Sequence, residues 1–407
     1  MWIAGCGPGG AGAAKLLDPS FGKEGTTLTA FSCASDFAFP NALVAVDGGF
    51  IAAGKACRGW GLVGYTSNGA LDSSYGDGGT VSVFAGDGDF SDVRALVARP
   101  DGRVIVWGVK GSTELVRQFS AAGVLDSAFA AAVDQAVVPF GPLVQAMALQ
   151  PDGKLLLGAR TEITRINVDG TRDTLFGNGG TVSVELFARD TFMRQLLVRP
   201  DGGITIVGYD TAAGLPGIPF VAQLSALGAL EASFGTHGVV KVPPPTKGGN
   251  MVNAATLQED GKIVLAGSDY PDTSIEGPTR PVVWRLTQTG VLDSTFGTDG
   301  RAEGRSKVGN NLFYGVSVLA DGKIVAAGAY QEKVVLDSWQ VARFTPAGVL
   351  DSTFGSAGTS VFDVGVAATN GGATTLVTTP SGYVIAGRAY PTASGPAVFG
   401  LARLKPQ

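Results

Sequence analysis

The stretch Ala146-Met147-Ala148-Leu149-Gln150-Pro151-Asp152-Gly153-Lys154-Leu155-Leu156-Leu157-Gly158 decides how this chain folds. Two apolar runs flank an Asp-Gly pair. Glycine accepts the positive φ of a tight hairpin turn, so the runs predict two antiparallel strands, here called A and B. Further along, an apolar run carrying Arg165 reads as strand C, and Thr181-Val182-Ser183-Val184, just past the turn at Phe176-Gly177, reads as strand D. The unit is four short antiparallel strands.

The same phrases recur along the chain. A Leu-Asp-x-Ser-Phe-Gly phrase places its aromatic at Phe21, Tyr75, Phe129, Phe176, Phe234, Phe296 and Phe354, at intervals of 47 to 62 residues. The Asp-Gly hairpin recurs with turn glycines Gly48, Gly102, Gly153, Gly202, Gly261, Gly322 and Gly382. This is the spacing of a propeller blade, not of a short solenoid repeat. The expected fold is all-β: one seven-bladed β-propeller with four antiparallel strands per blade, spanning residues 17–407 behind an N-terminal tether, 1–16. Sixty-one glycines and 21 prolines without a three-residue period fit a fold of many tight turns.

The two ends complete one another. The last copy stops at Leu401-Ala402-Arg403-Leu404, a strand C with no turn phrase after it. The missing phrase stands at the start, as Leu17-Asp18-Pro19-Ser20-Phe21-Gly22, followed by Thr26-Thr27-Leu28-Thr29. The N-terminal strand should therefore pair as the outer strand of the last blade, closing the ring and removing an open sheet edge.

From Leu17 to Leu404 these phrases resemble the bacterial delta-60 repeat family. Copy three departs from the pattern at Ala128-Phe129-Ala130, and copy four has Arg172 where the phrase has leucine. The resemblance implies a propeller on a secreted or surface protein of a bacterium, and it brings no catalytic motif.

A residue repeated in most copies is first a structural residue. The repeated aspartates (Asp18, Asp72, Asp126, Asp173, Asp293, Asp351) are expected to cap their own turns. The strand-C arginines (Arg117, Arg165, Arg285, Arg343, Arg403) should pair with a nearby carboxylate or carbonyl, and the turn aromatics should wedge between blades. The single histidine, His237, holds a turn position filled elsewhere by Glu24, Asp299 or Ala357, so it reads as a turn residue. One such histidine and three cysteines leave no Ser-His-Asp triad and no His- or Cys-based zinc site, so no catalytic residue, metal site or cofactor is assigned. The loop Asp87-Gly88-Asp89-Phe90-Ser91-Asp92 lacks the ligand order of an EF-hand. A net charge of −5 without a Lys/Arg cluster argues against nucleic acid.

Ile3-Ala4-Gly5-Cys6 resembles a lipobox, with Cys6 as the lipidated residue and Gly7 to Ala14 as a flexible tether. The alternative is an accidental match, since almost no apolar segment precedes it. Cys33 in the D–A loop and Cys57 in the B–C loop of blade 1 share one face, as a disulfide or as two buried thiols.

Strand alternation puts the A–B and C–D turns on one face of the ring and the D–A and B–C loops on the other. Variation in length concentrates on the loop face, as in Tyr209 to Phe220 and Ser268 to Pro281. The residues expected to ring the channel mouth there are Asn41, Arg94, Gln145, Arg194, Asn253, Tyr314 and Thr374. That set holds two arginines and no carboxylate, which suits an anionic or hydroxyl-rich ligand or else a water-filled channel. Tyr270, Tyr330 and Tyr390 either add contact surface or pack the loops. The expectation is a monomeric, non-catalytic binding or scaffold protein of the bacterial envelope that meets a protein or glycan through this face. The rival reading is a lyase or hydrolase of a sugar-like or lactone substrate in the central funnel.

Overall fold

The computed structural model describes residues 16–32, 37–84, 91–136, 144–159, 162–184, 191–210, 217–242, 248–270, 278–306, 309–333, 336–366, 371–392 and 395–405. After a first strand, β1 (Thr26–Thr29), the chain winds through seven sheets in order. Blade 1 holds β2 (Phe39–Val46), β3 (Gly49–Ala56), β4 (Gly59–Thr66) and β5 (Thr80–Val83). Blade 2 holds β6 (Ser91–Ala98), β7 (Val104–Lys110) and β8 (Thr113–Phe119). Blade 3 holds β9 (Val144–Leu149), β10 (Leu155–Ala159), β11 (Glu162–Ile166) and β12 (Thr181–Ser183). Blade 4 holds β13 (Thr191–Val198), β14 (Ile204–Asp210), β15 (Ile218–Leu224) and β16 (Val239–Lys241). Blade 5 holds β17 (Asn250–Leu257), β18 (Ile263–Asp269), β19 (Arg280–Leu286) and β20 (Arg301–Glu303). Blade 6 holds β21 (Leu312–Val318), β22 (Ile324–Lys333), β23 (Leu336–Phe344) and β24 (Thr359–Phe362). Blade 7 holds β25 (Gly372–Thr379), β26 (Gly382–Ala389) and β27 (Val398–Leu404), completed by β1. The first strands of successive blades pack on one another around the axis.

Closure follows the expected register: Thr26 lies opposite Ala402 and Thr29 opposite Phe399. The Asp18 amide donates to the Arg403 carbonyl at 2.9 Å, and the Lys405 amide to that of Leu16 at 2.9 Å. Blade 2 departs from the rule. Among the described residues its sheet has three strands, and a helix, α1 (Ser127–Ala136), forms on the alanine-rich run Ser-Ala-Phe-Ala-Ala-Ala-Val-Asp-Gln-Ala. Alanine favours helix, and the glycines that turn the chain in other copies are missing here. Asp126 caps the helix by accepting from the Phe129 amide at 3.0 Å.

Blades are joined by one recurrent node. In blade 3, Arg165 Nε donates to Asp173 Oδ2 at 2.7 Å, and Nη1 donates to the Ala226 carbonyl of blade 4 at 2.7 Å. The guanidinium lies over the Phe176 ring, 4.5 Å from its centroid. Arg285 repeats this with Asp293, the Pro346 carbonyl and Phe296, and Arg403 with Asp18, the Ser67 carbonyl and Phe21. Arg343 pairs with Asp351 over Phe354. The aspartates also cap their turns as expected, Asp351 accepting from the amide and hydroxyl of Thr353. The turn aromatics are buried between neighbouring blades.

Three blades solve the node differently. The arginine stands eight residues before the turn aspartate, and in blade 2 that register belongs to Gln118, not to Arg117. Arg117 instead forms an ion pair with Asp134 of α1 at 2.8 Å. Gln118 donates to Asp126, and the guanidinium comes from Arg99 at the A–B turn, whose Nε donates to Gln118 Oε1 at 2.7 Å. Blade 4 has Gln223 in that register, and Arg199 of its A–B turn pairs with Glu231. Blade 1 has Gly64, and Tyr75 replaces phenylalanine and lies directly over it. The Tyr75 hydroxyl is buried without a hydrogen-bond partner.

Candidate functional site

All seven residues expected at the loop-side mouth occupy one special position. The first strand of every blade carries a β-bulge, and the extra residue is Asn41, Arg94, Gln145, Arg194, Asn253, Tyr314 or Thr374. A bulge breaks strict alternation and re-aims a side chain. The fold thus turns one residue per blade out of the ladder at the same level of the ring.

What those side chains do differs from blade to blade. Asn41 Nδ2 donates to the Val93 carbonyl of blade 2 at 2.9 Å. Asn253 Nδ2 donates to the Phe313 carbonyl of blade 6 at 2.9 Å, and Thr374 Oγ1 to the Pro40 carbonyl of blade 1 at 2.8 Å. In each case the acceptor is the residue just before the next blade's bulge. These three are blade-to-blade latches. The Gln145 side chain lies outside the described residues.

The two arginines make no such latch among the described residues. The Arg94 side chain is 47% exposed and faces Asp92 at 3.7 Å. The Arg194 guanidinium lies 5.4 Å from the centroid of Tyr209, which stacks on Phe192 at 5.2 Å, and its Nε is buried without a hydrogen-bond partner. A third cation, Arg388 of β26, covers the Phe39 ring at 4.1 Å. With Phe39, Asn41, Tyr314 and Thr374 it lines a cavity of about 230 Å³.

Beside the bulge residues lies a carboxylate that is not one of the seven. Asp92, at the start of β6, is buried and accepts from Asn41 Nδ2 at 2.8 Å. Burial raises its carboxyl above the ordinary value, against the pull of Arg94, Lys55 and Asn41. Asp92 precedes the bulge by two residues and ends the acidic stretch that begins at Asp87. Positions 85–90 of that loop lie outside the described residues.

The remaining candidates fall into place. His237 adopts φ +54°, alongside Glu24, Asp299 and Ala357, as a turn residue of the opposite face. Tyr330 and Tyr390 are buried and pack the fold, and Tyr270 donates to the Met251 sulfur at 3.3 Å. Cys57 is disulfide-bonded, while Cys33 and Cys6 lie outside the described residues. No group of three His, Cys, Asp or Glu side chains suited to a metal occurs among the described residues, and no described helix is long and apolar enough to cross a membrane.

The largest described cavity lies on the other face, about 1140 Å³ among the A–B turns of blades 1 to 5. Sequence reasoning passed over it because these turns look alike in length. The signal was the residue that opens each turn: Arg99, Gln150, Arg199 and Gln258 in consecutive blades.

A family described as "Domain of unknown function (DUF5122) beta-propeller" matches residues 150–176, 258–296 and 319–354, each running from an A–B turn to the following Phe-x turn. No curated protein matches the chain. Among solved structures, a PL25 ulvan lyase bound to -[GlcA(1-4)Rha3S]- is similar at a TM-score of 0.52 and 8% identity, covering 93% of this chain and 96% of that one. The extracellular domain assigned to a hybrid two component system of B. thetaiotaomicron gives a TM-score of 0.47 at 11% identity and 93% coverage. This chain spans only 39% of that domain's length. A gluconolactonase of Xanthomonas campestris gives 0.38 at 16% identity, covering 74% of this chain and 82% of that one. At these identities the likeness is one of fold, and one fold hosts many functions.

Proposed function

We propose that the protein is a recognition module of the bacterial envelope that binds an acidic glycan, or an acidic segment of a protein, at its loop-side mouth. One observation carries this reading. Of the bulge residues, the short polar ones are consumed by latches to the next blade, whereas Arg94 and Arg194 keep their guanidinium groups at the mouth. A guanidinium offers a fork that matches a carboxylate or sulfate. The disulfide at Cys57 supports an oxidising compartment, and lipidation at Cys6 would hold the ring at a membrane.

The test is calorimetric titration of glucuronate oligosaccharides into the protein and into an Arg94→Ala/Arg194→Ala variant, with capture from envelope extract in parallel. Loss of binding by tenfold or more in the variant, with an unchanged melting temperature, is expected. Equal binding by both proteins would remove the mouth from the function. The second reading, a lyase or hydrolase, draws on Asp92, an acid beside Arg94 and Asn41. Turnover of an acidic polysaccharide or lactone that Asp92→Asn abolishes would favour it.

A further inference from the structure

Where blades 6, 7 and 1 meet, the mouth holds the cavity of about 230 Å³ whose walls include Phe39, Tyr314, Ala329, Gly372 and Arg388. A departure from the repeat opens it. Two residues before the bulge, the first strands of blades 1, 2, 4, 5 and 6 carry Phe39, Asp92, Phe192, Met251 and Leu312, but blade 7 carries Gly372. A Cβ on Gly372 would stand 3.1 Å from that of Ala329, so a side chain of the usual size there would occupy the space.

The register partner of Gly372 on the second strand is Arg388. Cross-strand partners project on the same face of a sheet, so the arginine extends along the side that the glycine leaves open. Its guanidinium covers the Phe39 ring of blade 1, 4.1 Å from the centroid, which shields one face of the cation from water. The Arg388 side chain forms no hydrogen bond or ion pair among the described residues, and its nitrogens are open to solvent. The strand-C arginines, by contrast, are all spent on carboxylates. No Asp or Glu lines the cavity. A cation partly removed from water beside small apolar walls attracts an anion more strongly than one in bulk solvent, and a guanidinium fork matches a carboxylate or sulfate. The volume lies below the roughly 300–1,000 Å³ of sites for larger ligands, which leaves room for a single sugar ring.

We infer that this cavity is the subsite that seats one acidic sugar residue, with the carboxylate or sulfate of that residue on the Arg388 fork. The inference rests on the reading of the mouth as an acidic-glycan site and names where one residue of the glycan is held. Asn41 lines the same cavity and donates to Asp92 at 2.8 Å, and Asp92 faces Arg94 at 3.7 Å, so the seat adjoins the Arg94 side of the mouth.

D-glucuronate, D-glucose 6-sulfate and D-glucose, each titrated calorimetrically, are the probes. At least one of the two acidic sugars is expected to bind the parent about tenfold or more tightly than glucose, and which one does so tells carboxylate from sulfate. Arg388→Met keeps an apolar cover on Phe39 and removes the fork, and should weaken that binding about tenfold or more at an unchanged melting temperature. Should it fail to fold, Arg388→Lys keeps the charge, loses the paired donors and should still weaken binding. Ala329→Val keeps Arg388, narrows the cavity and should act in the same direction. The Arg94→Ala/Arg194→Ala variant should bind the single sugar as the parent does. The inference is overturned if neither acidic sugar binds more tightly than glucose, if a folded Arg388 or Ala329 variant binds unchanged, or if the Arg94→Ala/Arg194→Ala variant loses the single sugar. That last outcome would leave the loop-side reading standing. Oligosaccharide binding lost in Arg388→Met but kept in Arg94→Ala/Arg194→Ala would count against that reading and leave this one standing.

Discussion

Asp293→Asn in blade 5 probes the blade-joining node most directly. Asp293 is 6% exposed and takes Arg285 Nε at 2.8 Å, with Lys262 Nζ at 3.3 Å. Burial opposes its ionisation, but the Thr295 hydroxyl and amide, Arg285 and Lys262 outweigh it and hold the carboxyl at about 2, below its ordinary 3.8. At neutral pH the substitution leaves the buried Arg285 without its anion. Breaking such a pair costs about 3–5 kcal/mol, and the lower end applies here because Arg285 keeps the Pro346 carbonyl and the Phe296 ring. With an unfolding entropy of about 2.1 cal/mol/K per residue, a loss of about 3 kcal/mol lowers the melting temperature of the whole chain by about 3–4 °C.

The pH dependence gives the sharper check. The folded-state pKa lies below the unfolded one, so the carboxylate's contribution is complete above about pH 4 and is lost as pH falls towards 2. The shift is worth at most about 2.4 kcal/mol. The carboxylate is covered by its own partners rather than set deep in the core, so solvent screening trims this to about 1–2 kcal/mol. Scanning calorimetry of parent and variant at pH 7, 5 and 3 should show the gap narrowing by about 1 °C between pH 5 and 3. A gap that stays constant, or a variant that melts like the parent at pH 7, would refute the node as an ionic device.

Two further outcomes follow from the same blades. Tyr75→Phe removes a buried hydroxyl that has no partner and restores the aromatic of the other six copies, so it should raise stability by about 1 kcal/mol, measured as a melting-temperature increase of about 1 °C. Gly228→Ala puts a Cβ 2.2 Å from Val182 Cγ2 at a φ of +90°, which only glycine adopts freely, and should cost about 2–3 kcal/mol in the same assay.

The architecture was legible because the repeat writes each blade in the same order, and the strand Thr26–Thr29 was placed correctly from the phrase missing after Leu404. The helix of blade 2 was not foreseen. Its signal was present in Asp126 followed by an alanine-rich run, but it was read as a damaged copy of the turn. Arg117 does pair with a carboxylate, that of Asp134, but aligning the copies on the arginine hid that the eight-residue interval to the turn aspartate belongs to Gln118. At the mouth, the positions were read correctly and their duties were not. Whether Asn41 or Thr374 faces a ligand or latches a neighbour depends on where the next blade's carbonyl falls, and that distance is set by packing between units some 50 residues apart in the chain.

Closure by β1 has a consequence for how the ring comes into being. The arginine–aspartate nodes of blades 3, 5 and 6 join residues within one repeat, as Arg285 and Asp293 are joined across eight positions, but the Arg403–Asp18 bond spans 385. Loop entropy grows as about 1.5RT times the logarithm of length, so the last node forms at a disadvantage of about 3.4 kcal/mol relative to its siblings. During synthesis, Thr26–Thr29 must wait as an unpaired edge until Phe399–Ala402 has emerged, exposed meanwhile to wrong partners. Once shut, the ring offers no free end from which unravelling can start without first breaking that bond. Slow assembly and long persistence are thus two faces of one strand's being made first and used last.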